Sequence, residues 1–237
     1  MKLNQSLIFR ATALSAMVFL ASCGGGGGGD YGGGVGIAPV KLNAVTNAPS
    51  ASCSAAGIAA STASTASATV CMLTSDGEVV VELYADKAPL SVANFLKYVA
   101  DGFYTNTAFH RLVRDFVVQG GGYATGATYS TGGAGKTATY AAIKLESNNG
   151  LSNLRGTLAM ARTSAADSAT SQFYFNAVNN TGLDYSAAVG GANGYAVFGK
   201  VISGLATIDK INVEPRWASD PDIPATEVIL YWAQRLK

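Results

Sequence analysis

Residues 109–122, which read FHRLVRDFVVQGGG, set Arg111 and Gln119 among Phe109, Val113, Phe116 and Val118. An arginine brings fixed, charged N–H donors and a glutamine brings an amide that both donates and accepts. Neither is a nucleophile. A lone arginine in a strand is ordinarily a solvated surface residue, but apolar company on both sides argues for a partly buried one with a task. Such a constellation suits gripping something apolar while offering strong donors to one polar atom. It neither cuts nor transfers a covalent group.

The remaining reactive residue types do not assemble into rival sites. His110 is the only histidine, so a zinc cluster would lack ligands and a catalytic triad would lack its nucleophile motif. Packing and hydrogen bonding beneath the site is its expected role. Asp167, Asp184 and Glu146 are scattered along the chain, with no pair of carboxylates for acid–base work. Ser130 to Thr137 ends in Gly-Lys-Thr like a phosphate-binding loop, yet serine stands where that motif starts with glycine. Such a loop also joins a strand to a helix, and small residues surround this one; it reads as a surface loop. The expected site therefore takes no metal and no cofactor.

The elements that must carry Arg111 and Gln119 are mostly strands. Residues 109–122 contain two short strand-like runs split by Arg114-Asp115. Val79, Val81 and Leu83 alternate with Glu78, Glu82 and Tyr84 after Asp76-Gly77, a hairpin-turn dipeptide. Val228, Leu230 and Trp232 repeat that period near the C-terminus. Two stretches take helical spacing: Pro89 with Val92, Phe95, Leu96 and Val99, ending near Gly102, and Ser203 with Leu205, Ile208 and Ile211. Short strands, frequent glycine turns and two helices predict a mainly β fold, a closed barrel capped by helices.

The 237 residues are 49% hydrophobic and 13% charged. Lys2 and Arg10 precede the apolar run Ala11 to Ala21, which is too short to span a bilayer but suits a signal-peptide core. Leu20-Ala21-Ser22-Cys23 resembles the bacterial lipobox, in which the cysteine is lipidated and becomes the new amino terminus; an ordinary signal peptide is the alternative. Gly24, rather than aspartate, follows the cysteine, which by resemblance to Gram-negative sorting directs the chain to the outer membrane. Removing residues 1–22 leaves 14 basic against 15 acidic side chains, a balance with no electrostatic footprint for nucleic acid. Residues 23–65, rich in glycine and then in alanine, serine and threonine, read as a flexible tether, and residues 66–237 as one globular domain. Cys53 and Cys71 either stay as thiols or pair as a disulfide, which an oxidising compartment favours.

FHRLVRDFVVQGG also resembles the signature of the cyclophilin peptidyl-prolyl isomerases. Val80 to Tyr84 (VVELY) with Ala88-Pro89-Leu90, Gly156 to Ala161 (GTLAMA), Ser171-Gln172-Phe173 and Val197 to Lys200 (VFGK) follow in that family's order. The likeness runs over about residues 72–236, and Ala159 to Thr163 with Gly194 to Phe198 are nearest the bacterial branch. It implies a closed eight-stranded antiparallel β-barrel capped by two α-helices, binding proline-containing polypeptides as a monomer. It makes Arg111, Phe116 and Gln119 the catalytic set. Val117, Phe173, Tyr174 and Leu183 would line or flank the proline pocket, and Ala161 and Arg162 would hold the residues before proline. Tyr195 stands where cyclosporin-sensitive members have histidine, and Gly182 where they have tryptophan, which implies weak cyclosporin binding. Exported proteins in the cell envelope are the expected substrates; a tethered proline-peptide-binding or chaperone module with little turnover is the second reading.

Overall fold

The computed structural model describes residues 47–126, 135–189, 193–218 and 220–237. The stretch read as a signal peptide, Cys23, the glycine tract and residues 127–134 of the lysine-containing loop lie outside the described residues. Of that loop, residues 135–137 are described and carry no helix. Lys136 donates its Nζ to the Phe103 carbonyl, a structural use rather than a phosphate-binding one.

Asp76-Gly77 turns the chain between strands β1 (Ala68–Thr74) and β2 (Gly77–Leu83), which pair antiparallel along their whole length. Pro89 then opens helix α2 (Pro89–Ala100), where its missing N–H costs nothing. Short strands follow: β3 (Thr107–Ala108), β4 (Arg111–Val113), β5 (Val117–Gly120) and β6 (Tyr123–Ala124). After them come β7 (Thr157–Met160), β8 (Phe173–Asn176) and β9 (Val197–Ser203), then helix α3 (Leu205–Val213) and β10 (Ile229–Arg235). All pair antiparallel into one sheet of order β4-β5-β8-β7-β9-β2-β1-β10-β3-β6. The mainly β, antiparallel architecture is as expected. The sheet counts ten short segments rather than eight, two of them only two residues long, and it curls into a half-barrel whose end strands β4 and β6 do not pair with each other.

Alternation decides what fills the barrel. Leu112 on β4, Val118 on β5, Phe173 and Phe175 on β8, and Leu158 and Met160 on β7 all point inward, each at most 2% exposed. Phe95 of α2 lies 5.5 Å from Phe173 and 5.3 Å from Phe198, ring centre to ring centre, and so seats that helix on the barrel mouth.

Helix α1 (Ala55–Ala63) adds a third helix, inside the stretch read as tether. It has no apolar stripe; it packs through its smallest residues, burying Gly57 and Ser61. A Cβ on Gly57 would meet Glu78 Oε1 at 2.4 Å and Cys53 Sγ at 2.5 Å, so only glycine permits that approach. Ser54 caps the helix and is itself held by Glu78, whose carboxylate accepts from Ser54 N at 2.7 Å and Ser54 Oγ at 2.6 Å. A disulfide joins Cys53 to Cys71 of β1. The packed body thus reaches back before residue 66, because side chains too small to form a core of their own lie flat against β1 and β2.

Candidate active site

The hairpin of β4 and β5 turns at Arg114-Asp115, where Asp115 takes a left-handed φ of 53° and donates its N–H to Asn212 Oδ1 at 3.0 Å. Aspartate is among the few non-glycine residues that adopt this conformation readily. The turn sets the register Arg111 opposite Gln119 and Val113 opposite Val117. Gln119 faces Tyr174 of β8, Tyr174 faces Ala159 of β7, and Ala159 faces Val197 of β9. Directly paired residues share a face, so Arg111, Gln119, Tyr174, Ala159 and Val197 form one row across the outer side of the barrel.

That row runs into an apolar cluster separate from the barrel interior. Val117, Ala159, Tyr174 and Val197 form its buried floor, with Val113, Phe116, Leu151, Ala161, Leu183 and Tyr195 partly buried around them. The structure therefore brings together Phe116, Val117, Ala161, Tyr174, Leu183 and Tyr195. Arg162 joins at the rim: its guanidinium stacks 4.7 Å over the Tyr195 ring and donates Nε to the Gly194 carbonyl at 2.9 Å. A cleft of about 170 Å³ continues the pocket between Gln119, Ala161, Arg162 and Gln172.

Phe173, in contrast, does not line or flank the pocket as the resemblance implies. It is 0% exposed and stands in the barrel interior 5.3 Å from Tyr104, on the face of β8 opposite Tyr174. The period of two along a strand allows only one of two consecutive residues to face the pocket. Phe173 supports the strand from behind and does not line the site.

The polar groups have definite partners. Gln119 Nε2 donates to Gln172 Oε1 at 3.0 Å. Gln172 is brought there by the glycines after β5: Gly121 has φ 79°, a Cβ on it would meet the Ser171 carbonyl at 2.8 Å, and one on Gly122 would meet the Gln172 amide at 2.5 Å. Burial raises the Tyr174 phenol well above its usual pKa, and its hydroxyl donates to Asn153 Oδ1 at 2.8 Å. Asn153 in turn donates to Asp184 at 2.9 Å. Asn180 Nδ2 donates to the Phe116 carbonyl at 2.9 Å, and Tyr195 N to the Leu183 carbonyl at 2.9 Å. This network fixes the turn Thr181–Leu183 over the pocket. A Cβ on Gly182 would meet nothing within 4 Å, so the rim is open there.

Arg111 is held by Asp222: its Nε donates to Oδ2 at 3.1 Å and its Nη2 lies 3.0 Å from the same oxygen. Asp222, Gln172 and Asn153 were not assigned to the site by sequence reasoning. Gln172 had a signal in the SQF triplet and the glycines that approach it; Asp222, 111 positions from Arg111, had none. His110 lies next to Arg111 with its ring 4.6 Å from that of Tyr123. Burial, ahead of its hydrogen-bonding and charge contacts, lowers its pKa to about 4, so it is neutral near pH 7.

Among the described residues, an apolar outer-face pocket is bordered by an anchored arginine, an arrangement suited to non-covalent binding or isomerisation. The cyclophilin type peptidyl-prolyl cis-trans isomerase/CLD family model matches residues 69–230. Peptidyl-prolyl cis-trans isomerase B of Escherichia coli (strain K12) is 44% identical over 159 residues, covering 66% of this chain and 93% of that protein. A peptidyl-prolyl cis-trans isomerase of Acinetobacter baylyi is 50% identical over 140 residues, covering 59% of this chain and 69% of its own length. The crystal structure of a Cryptosporidium parvum cyclophilin type peptidyl-prolyl cis-trans isomerase in the presence of the dipeptide Ala-Pro matches with a TM-score of 0.57 at 28% identity, covering 70% of this chain and 96% of that one. The chain belongs to the cyclophilin-type peptidyl-prolyl cis-trans isomerases.

Proposed function

We propose that the protein accelerates rotation about X–Pro bonds in exported polypeptides as they fold, working as a monomer tethered by a lipid on Cys23, on the periplasmic face of the outer membrane. The observation that carries the catalytic part is the row Arg111–Gln119–Tyr174 across three strands, flanking the pocket of Phe116, Val117 and Leu183. The signal-like segment before Cys23 and the joined Cys53 and Cys71 suit an exported protein.

Rotation of a peptide bond meets a barrier of about 20 kcal/mol because the nitrogen lone pair is delocalised into the carbonyl. As the bond twists, the lone pair localises on the proline nitrogen and becomes an acceptor. Arg111 donates to it there, an interaction made chiefly in the twisted state and therefore catalytic. A charged donor of this kind is worth about 1.5–3 kcal/mol, roughly one to two powers of ten in rate. The proline ring sits in the pocket of Phe116, Val117, Tyr174 and Leu183, which excludes water, and Tyr195 closes its side. Ala161 and Arg162 hold the residues before proline along the cleft, and Gln119 orients the substrate backbone from its place against Gln172. Rotation breaks no bond and transfers no electron, so the reaction as proposed uses neither cofactor nor metal.

Arg111→Ala is expected to lower isomerisation of an X–Pro peptide by about one to two powers of ten, leaving a residual rate from the pocket, read in a protease-coupled assay, while the far-UV spectrum stays that of the folded protein. Arg111→Lys should fail as well, since lysine lacks the planar fork. A wild-type rate in Arg111→Ala would remove Arg111 from the chemistry.

A further inference from the structure

Helix α3 ends at Val213, and the segment after it lies along the free edge of β4, the end strand of the sheet. Leu112 donates its N–H to the Asp222 carbonyl at 2.7 Å, and Arg216 donates its Nε to the Leu112 carbonyl at 2.6 Å. Asn212 Nδ2 donates to the Val113 carbonyl at 2.8 Å. An edge strand with unpaired backbone groups needs such cover. Here the cover also delivers one carboxylate to the side chain of Arg111, the residue next to Leu112.

We infer that Asp222 is a positioning residue for catalysis: it clamps the Nε/Nη2 edge of the Arg111 guanidinium and turns the Nη1 edge toward the pocket. This rests on the catalytic reading of Arg111 given above. Side-chain exposures of 36% for Arg111 and 38% for Asp222 put the pair at the surface. Ion pairs so exposed contribute little to stability, so its value lies in geometry. Arginine has several rotatable bonds, and a donor that must meet a nitrogen only while the amide is twisted gains most from being held in place beforehand. Gln119, the neighbour opposite Arg111 on β5, gives its amide N–H to Gln172 instead, which leaves the clamping of Arg111 to Asp222. The Asp222 main chain is itself fixed. Its carbonyl takes the Leu112 N–H, its own N–H goes to Asp220 Oδ1 at 3.2 Å, and Arg216 bridges to Pro224 across the loop.

The test is steady-state kinetics on an X–Pro peptide with Asp222→Ala, Asp222→Asn, Arg111→Ala and the double variant Arg111→Ala/Asp222→Ala. Asp222→Ala is expected to lower kcat/KM about tenfold, mostly in kcat. Asp222→Asn keeps a carbonyl oxygen to accept from Nε and should lose only about two- to threefold. Against the Arg111→Ala background, removing Asp222 should cost nothing further, which a merely structural carboxylate would not reproduce. Wild-type kcat in both Asp222 variants, or the same fractional loss with and without Arg111, overturns the assignment. Should Asp222→Ala fail to fold, Asp222→Asn alone and combined with Arg111→Ala decides by the same comparison. Loss of activity in Arg111→Ala with full activity in the Asp222 variants defeats the positioning role alone; full activity in Arg111→Ala defeats the catalytic reading beneath it.

Discussion

At the scale of single residues, the two groups singled out first, Arg111 and Gln119, meet because an antiparallel register pairs them across β4 and β5. Their chemistry was legible from residue type and neighbours. Their partners were not: Asp222 arrives through a loop packed on an edge strand, and no local pattern encodes which side chain such a loop presents. Phe173 and Tyr174 show the opposite case, since period-two alternation already separates them into interior and pocket. His110, beside Arg111, leads to a prediction about pH. Its folded pKa, lowered by burial from 6.5 to about 4, means the unfolded chain binds more protons between those values. Stability is therefore full above pH 6.5 and falls as the solution is acidified toward pH 4, by about 3 kcal/mol in all from this group. Urea midpoints at pH 7 and pH 4.5 should differ accordingly, and His110→Gln should flatten the difference; equal pH slopes in both proteins would discount the histidine.

At the scale of elements, the β4–β5 hairpin, α2 and α3 follow from their patterns: two strand-like runs with a polar break, and two helical spacings. Helix α1 did not declare itself in this way. It has no amphipathic stripe, and its docking depends on Gly57 and Ser61 meeting β1 and β2, a fit of surfaces rather than a period. The Cys53–Cys71 bond fastens this element. Closing a loop with a separation of 18 residues contributes about 3 kcal/mol in the chain-entropy account, and its reduction should lower Tm by roughly 6–12 °C for a domain of this size. The X–Pro isomerisation rate should hold, because the bond joins the residue before the α1 cap to β1, while Arg111 and Gln119 lie on β4 and β5, five or more strands away in the sheet order. Calorimetry and the peptide assay with and without a dithiol reductant check both; an unchanged Tm would show that the bond adds nothing to the folded state.

At the scale of the whole molecule, a half-barrel separates three apolar clusters, one of them around Cys53, Cys71, Ile229 and Trp232. Another fills the interior around Phe95, Phe173 and Phe198, and the third lines a pocket on the outside around Val117 and Tyr174. If Cys23 carries the lipid, Cys23→Ala in a Gram-negative host should abolish palmitate labelling and release the protein from the detergent phase, with the isomerisation rate unchanged. Persistent labelling of the Cys23→Ala protein would place the modification elsewhere or deny it.

The sequence by itself determined the family signature, the strand and helix periods, and the chemistry open to a site with an arginine, a glutamine and no nucleophile. These depend on residue type and local spacing, which the chain carries explicitly. Tertiary structure alone decided that Asp222 would hold Arg111, that Asn153 would take the Tyr174 hydroxyl, and that α1 would be part of the body. Each of those is a contact between segments far apart in the chain, fixed only when strand registers and loop paths are set by packing, and for that reason invisible to any period or motif.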